Sequence, residues 1–269
     1  MFDIDACSIA MDITDEKNIC VIAGTWSINE YISKEPVLNK TIMMNSLYCL
    51  DDYYLVEECS PTSAGNLEWF VDTFLDKEKN EAKEKGINVF QYCDELVETI
   101  HPDDQSILFL PYIFGSNYNP NAKSCFVGLD RSHSRNHIIR SVFEGIVFSH
   151  MIHIEKLLLN RQSTDAIRLA GGAANSRIWA QMFADVSGLP VEIIDTKELG
   201  ALGCAMAAAV AEGEFSDLRV AAKKMVRIKK KILPNPSVKE VYGRKYGHFK
   251  KVVEALDPLW DGMIQKQGI

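Results

Sequence analysis

The chain has 269 residues, 47% hydrophobic and 25% charged, enough to bury a substantial core in one large domain or two small ones. Its net charge of −8 argues against a nucleic-acid-binding surface, and its seven scattered cysteines, without C-x-x-C spacing, argue against a disulfide framework or a zinc site. The acidic start "MFDIDACSIAMDITDEKN" lacks the basic segment of a leader peptide, and the longest small-apolar run, 201–211, is too short for a membrane span, so a soluble, cytoplasmic protein with free thiols is expected.

From residue 18, "NICVIAGTWSINEYIS" reads as two strands reversing at Gly24, with Val21, Ile28, Tyr31 and Ile32 as β-formers. "TIMMNSLYCL" and "DYYLVEEC" continue the strands around a turn at Asp51 and Asp52. "SPTSAGNLEWFVDTFL" then places a Pro and a Ser/Thr cap ahead of Leu67, Phe70, Val71 and Phe74, the spacing of one helix face. A highly charged stretch, 76–86, separates this helix from another at about 89–99. "SILFLPYIFGSN" is an apolar strand running into a long loop that reaches about Ser134, and a connection of that length is usually functional or held against another surface.

From His137 a long helix carries Ile138, Val142, Phe143, Ile146, Val147, Met151, Ile154 and Leu158 as a broad apolar stripe. Strand "AIRLAG", a glycine turn, helix "RIWAQMFADVS", strand "VEII" and helix "ELGALGCAMAAAV" follow, the last with small residues spaced for close helix packing. Two further helices end the pattern, the second over 238–256, and "RIKKK" at 227–231 reads as a solvated connector between helices. Strands first, then alternating helix and strand, make an α/β domain with helices packed on a mixed sheet.

The densest signal is "RLAGGAANSRIWAQMFADVSG", 168–188, where a strand hands over to a helix through Gly171 and Gly172. Glycines there permit tight strand-to-helix packing, and equally leave a helix N-terminus open to a nucleotide's phosphates or ribose. No G-x-x-x-x-G-K-[ST] or G-x-G-x-x-G occurs, so P-loop and dinucleotide-fold readings have no support. His150 and His153 in "SHMIH" have a spacing that can hold a metal, but they sit in an apolar stripe without an acidic or cysteine neighbour in sequence, and no metal site is expected.

Taken together, "FDIDACSIAM", "VIAGTWSIN", "SPTSAGNLEWF", "FLPYIFGSN", "FEGIVFSHMIH" and "LAGGAANSRIWAQMFADVSGLPVE" followed by "ELGALGCAMAA" resemble the C-terminal half of the FGGY family of carbohydrate kinases. "GTW", "SPTSAGNLEWF" and "EGIVFSHM" look closest to its bacterial L-xylulose kinases. The resemblance implies a ribonuclease-H-like (actin-like ATPase) fold, a mixed sheet with helices on both faces, and residues 1–269 as one C-terminal domain whose N-terminal partner domain lies outside this sequence. It implies ATP-dependent phosphorylation of a sugar hydroxyl, on a ketopentose with L-xylulose first, using ATP and Mg2+. The competing reading is a catalytically silent nucleotide-binding or interaction half-domain. A surface that docks the other domain would be apolar, and a homodimer is one way to cover it.

Residue by residue, the resemblance makes Asp3 the general base, with Asp5 the alternative if the register shifts by two. An aspartate ahead of an apolar helix is otherwise an ordinary N-cap. Gly24 and Thr25 would face the nucleotide phosphates, although a plain hairpin turn also explains Gly24. Gly65 would be another nucleotide wall, and Gly171 and Gly172 would lie against the adenosine. Asn175 or Ser176 would cap the following helix within reach of the nucleotide.

Overall fold

Runs of Val, Ile, Tyr and Cys in the first sixty residues pair as a sheet, and the later periodic segments wind as helices upon it. The computed structural model describes residues 1–104, 106–196 and 198–263. In chain order the elements are α1 (Asp3–Ala10), β1 (Asn18–Ala23), β2 (Ser27–Ser33), β3 (Met44–Leu47), β4 (Tyr54–Ser60), α2 (Gly65–Phe74), α3 (Asp76–Glu84), α4 (Val89–Glu98), β5 (Leu108–Leu110) and β6 (Cys125–Val127). Then come α5 (Arg135–Leu159), β7 (Ala166–Gly171), α6 (Arg177–Ser187), β8 (Val191–Ile194), α7 (Leu199–Ala211), α8 (Leu218–Met225), β9 (Ile228–Ile232) and α9 (Lys239–Trp260).

Seven strands form one mixed sheet in the order β3-β4-β2-β1-β7-β8-β9. β1, β7 and β8 run parallel, while β2, β4, β3 and β9 join by antiparallel pairing. Side chains alternate across the sheet. Ile19, Val21, Ala23, Ile167 and Leu169 face a core shared with α2, α4, α5, α6 and α9, whereas Cys20 and Ala170 face a second core with α1, α7 and α8. Helices therefore cover both faces, as expected. Among the described residues no helix is long and apolar enough to cross a membrane.

α5 is the central beam. It is buried along most of its length, and at Gly145 an added Cβ would overlap the Phe109 backbone, so β5 lies directly against it. Arg140 joins α5 to its surroundings through Glu144 Oε1 at 2.8 Å, the Ile100 carbonyl at 2.7 Å and Tyr242 Oη of α9 at 2.7 Å. Lys245 of α9 pairs with the same Glu144. A buried cation with this many acceptors is compensated, which is the condition for placing one in a core.

Four local readings need correction. The charged stretch after residue 75 is helical as α3, stabilised by Asp76 and Glu78 in its first turn and the Lys77–Glu81 pair at 3.3 Å. "RIKKK" contributes to β9, an edge strand whose exposed lysines discourage pairing with another sheet. The long loop contains a strand, β6, although it is held against another surface as expected, with Asn121 Nδ2 donating to Asp261 Oδ1 at 2.9 Å. The Ser/Thr cap assigned to α2 is absent: Ala64 occupies the cap position without a side-chain bond. All seven cysteines are free, and burial pushes Cys93 up to about 12.

α7 packs on α1 through Gly203, where an added Cβ would overlap the Ala6 carbonyl. Gly203→Val is expected to destabilise the chain by about 1–3 kcal/mol in chemical denaturation. Gly243 faces open space within α9, so Gly243→Ala should stabilise by about 0.5–1 kcal/mol in the same assay.

Candidate active site

The C-terminal ends of β1, β4 and β7 lie at one end of the sheet, and each leads into one of the glycine segments. Ala23 of β1 pairs with Gly171 of β7. Gly171 has φ +80°, and a Cβ there would overlap the Ala23 carbonyl, so this position requires glycine on both conformational and steric grounds. Gly24 turns the chain, its N–H donating to the Trp26 carbonyl at 3.2 Å, and its own carbonyl accepts from Ala64 N–H at 2.8 Å. A Cβ at Gly65 would stand 3.8 Å from Thr25 and 3.4 Å from the Phe114 ring, and one at Gly172 would stand 3.5 Å from the Ala64 methyl. Gly24, Thr25, Gly65, Gly171 and Gly172, separated by up to 148 positions in sequence, thus form one surface, with Thr25, Trp26 and Gly172 exposed on it.

Chemically this surface offers the exposed Thr25 side chain and the exposed Gly172, while Gly65, Asn66 and Leu67 at the start of α2 behind them are buried and the N–H groups at Asn66, Leu67 and Glu68 donate to the Ser63 and Ala64 carbonyls. The next segment divides its labour. Asn175 is exposed at the end of a short 3-10 turn, whereas Ser176 is buried and caps α6 by accepting from Trp179 N–H at 3.0 Å. The Ser176 hydroxyl also donates to Asp94 Oδ1 at 2.7 Å. Burial raises the Asp94 carboxyl to about 6, against the opposing hydrogen bond from Ser176. Ser176 is therefore occupied as a cap, and of the two candidates Asn175 presents the free surface.

Asp3 does not cap α1. Phe2 is the cap residue, and Asp3 is exposed at the first helical position, its Oδ1 accepting from Ile4 N–H at 3.0 Å. Asp5 is the buried carboxylate that reaches back to Phe2 N–H, at 3.0 Å. Among the described residues, none of the contacts joining the glycine walls includes Asp3.

The C-terminal-domain model of the FGGY family of carbohydrate kinases matches residues 19–212. The chain belongs to the FGGY family. It is 32% identical to a probable L-xylulose kinase of Haemophilus influenzae over 263 residues, 96% of this chain and 50% of that protein. It is 30% identical to an L-xylulose/3-keto-L-gulonate kinase of Escherichia coli over 257 residues, 95% of this chain and 49% of that protein. A solved ligand-bound xylulose kinase from Lactobacillus acidophilus superposes with a TM-score of 0.84 at 22% identity, covering 96% of this chain and 51% of that one. The mixed sheet with its two helical layers is thus the fold of FGGY sugar kinases, the actin-like ATPase fold. This chain spans about half the length of the curated relatives it matches.

Sequence reading of this FGGY chain passed over the buried polar groups behind the site. Glu30 of β2 is wholly buried, pairs across strands with Glu57, and hydrogen-bonds Ser8 of α1, while its Oε2 has no partner. Desolvation raises its carboxyl to about 8, opposed by the Ser8 bond and reinforced by Glu57. His153, expected to lack an acidic neighbour, has one from another element: its Nδ1 lies 2.9 Å from Glu58 Oε2 of β4, which Lys156 also reaches at 3.0 Å. Alternation along "SINEYIS" was the available signal, because it puts Glu30 on an inward face.

Because the folded state raises the Glu30 pKa above its ordinary value of 4.5, its contribution to stability is complete at low pH and is lost as pH rises through about 8. Glu30→Gln keeps an acceptor for Ser8 and cannot ionise. Thermal melts should show the variant gaining on wild type between about pH 4.5 and about pH 8 and levelling off above that, and parallel curves would remove Glu30 as the cause.

Proposed function

We propose that this chain is the nucleotide-facing half of an ATP-dependent carbohydrate kinase that phosphorylates a ketopentose, L-xylulose first. The observation that carries the reading is the convergence of Gly24, Thr25, Gly65, Gly171 and Gly172 at the strand ends of an FGGY-family chain. The surface suits a nucleotide: Thr25 and Gly172 are exposed on it, and Gly172 carries no side chain to block approach. Mg2+ would arrive with the phosphates and neutralise their charge. The relatives from Haemophilus influenzae and Escherichia coli, named for L-xylulose, support the substrate assignment.

In this reading Asp3 is the general base. Its exposed carboxylate accepts the sugar hydroxyl proton as that oxygen bonds to the γ-phosphorus, and the bond from the γ-phosphorus to the bridging oxygen of ADP breaks. Gly24 and Thr25 face the phosphates, Gly65 backs them as a further wall, Gly171 and Gly172 face the adenosine, and Asn175 borders it. An N-terminal actin-like domain supplies the remaining contacts to sugar and phosphate. The chain by itself is then a nucleotide-binding module, and phosphorylation belongs to the two-domain protein.

Isothermal titration with Mg-ADP is expected to show weak binding to the chain, lost in Gly171→Ala. Failure of the folded wild-type chain to bind would reject the nucleotide surface. In a protein joining this chain to its N-terminal domain, Asp3→Asn should lower turnover by about 10²–10⁴-fold with nucleotide affinity nearly unchanged, since an amide cannot take the hydroxyl proton. Asp5→Asn retains an acceptor for Phe2 N–H and should be mild. A dead Asp5→Asn beside an active Asp3→Asn would transfer the assignment to Asp5.

A further inference from the structure

His150 is wholly buried in α5 and touches residues that flank the Thr25 and Gly65 turns, together with α6. Its Nδ1 lies 2.8 Å from Asn29 Oδ1 and 3.0 Å from Ser27 Oγ, both on β2 just beyond Thr25. Its Nε2 lies 2.7 Å from Ser63 Oγ. Ser63 immediately precedes Ala64, whose N–H holds the Gly24 carbonyl, and Gly65 follows. The imidazole also meets Phe183 of α6 edge-on, with ring centroids 5.2 Å apart, and α6 starts directly after Ser176.

The surrounding bonds fix which nitrogen carries the hydrogen. Asn29 Nδ2 donates to the Glu58 carbonyl at 3.1 Å and to Ser27 Oγ at 3.0 Å, so Asn29 presents its carbonyl oxygen to the ring. Nδ1 is therefore the donor, and Nε2 accepts from the Ser63 hydroxyl. Burial, with a smaller contribution from His153, pushes the imidazole pKa down to about 3 and keeps the ring neutral. Ser63 stands one residue before Ala64, the cap residue of α2, so its hydroxyl ties the entry of that helix to His150.

We propose that His150 is a positioning residue that locks the Thr25 turn, the Gly65 turn and α6 into one rigid cradle. The clamp rests on the reading of this surface as a nucleotide site, because that reading gives the fixed geometry a use. A phenylalanine would fill the same volume and keep the contact with Phe183, but would leave Ser63 and Asn29 without their ring partner. One neutral imidazole joins a donor on one side to an acceptor on the other. Through it, loosening one wall loosens the other.

Hydrogen exchange on the chain, with His150→Phe, His150→Gln and Ser63→Ala, tests this. In His150→Phe, exchange at 24–27 and 63–66 should rise together by about tenfold while α9 keeps its protection, and His150→Gln should restore part of it. Ser63→Ala should loosen 24–27 in the wild-type background and add nothing to it in the His150→Phe background. Mg-ADP affinity should weaken about tenfold in His150→Phe and less in His150→Gln. Wild-type exchange at both turns in a folded His150→Phe chain would overturn the clamp, as would a Ser63→Ala effect independent of His150. Should His150→Phe not fold, His150→Gln and Ser63→Ala decide the matter through the same exchange readout. Coupled exchange with no ADP binding to wild type would remove the nucleotide reading and leave the clamp standing. Equal ADP affinity in wild type and variants, with uncoupled exchange, would remove the clamp alone.

Discussion

The organisation of this chain depends on how closely β1 and β7 approach where they end. Gly171 abuts the Ala23 carbonyl, at a φ of +80°, and no side chain can be inserted between them. That contact brings two turns together: the β1–β2 reversal at Gly24 and the β7 exit at Gly172. The hydrogen bond from Ala64 N–H to the Gly24 carbonyl then draws in the start of α2. A larger residue at position 171 would push the strand ends apart, and the surface they share would lose its continuity. A local steric condition thereby becomes a condition on the whole site.

Behind the strand ends, the sheet is sustained by polar groups that apolar packing alone does not explain. β2 carries Asn29 and Glu30 on opposite faces, the first facing His150 of α5 and the second facing Ser8 of α1. Neighbouring β4 carries Glu58 toward His153 and Lys156. Leaving such groups buried without partners is costly, so each narrows the registers and helix positions that the chain can adopt. Apolar residues make the two cores, and these polar pairs fix the relative placement of helix and strand within them.

Sheet and helix order were legible because "NICVIA" is a short unbroken run of β-formers and α5 is long and apolar, although α5 proves buried on all sides from 139 to 151 where a one-sided stripe was expected. That Gly24, Gly65 and Gly171 would come together followed from resemblance, where spacing alone gave only turns. α3 was missed because its stability comes from charge placement and helix-end electrostatics, with few apolar residues to mark a face. The strand in "RIKKK" was missed because an edge strand can expose every lysine. The partners of His150 and His153 lie between 87 and 123 positions away, and no local pattern reports contacts at that separation.

Asp3 and the glycine walls belong to different parts of the structure, and the proposed chemistry follows from that division. Asp3 opens a helix on the α7 side of the sheet, whereas the walls are built from turns at the strand ends and supported by α5 on the opposite face. In the proposed reaction the Asp3 carboxylate serves the acceptor hydroxyl, and the glycine walls serve the nucleotide. Placement of that hydroxyl relative to the phosphate must then come from the relative position of α1 and the sheet. Gly203 against Ala6, together with Ser8 against Glu30, holds that position. In the proposed reaction these two contacts set the geometry between base and phosphate as much as any residue that would touch either substrate.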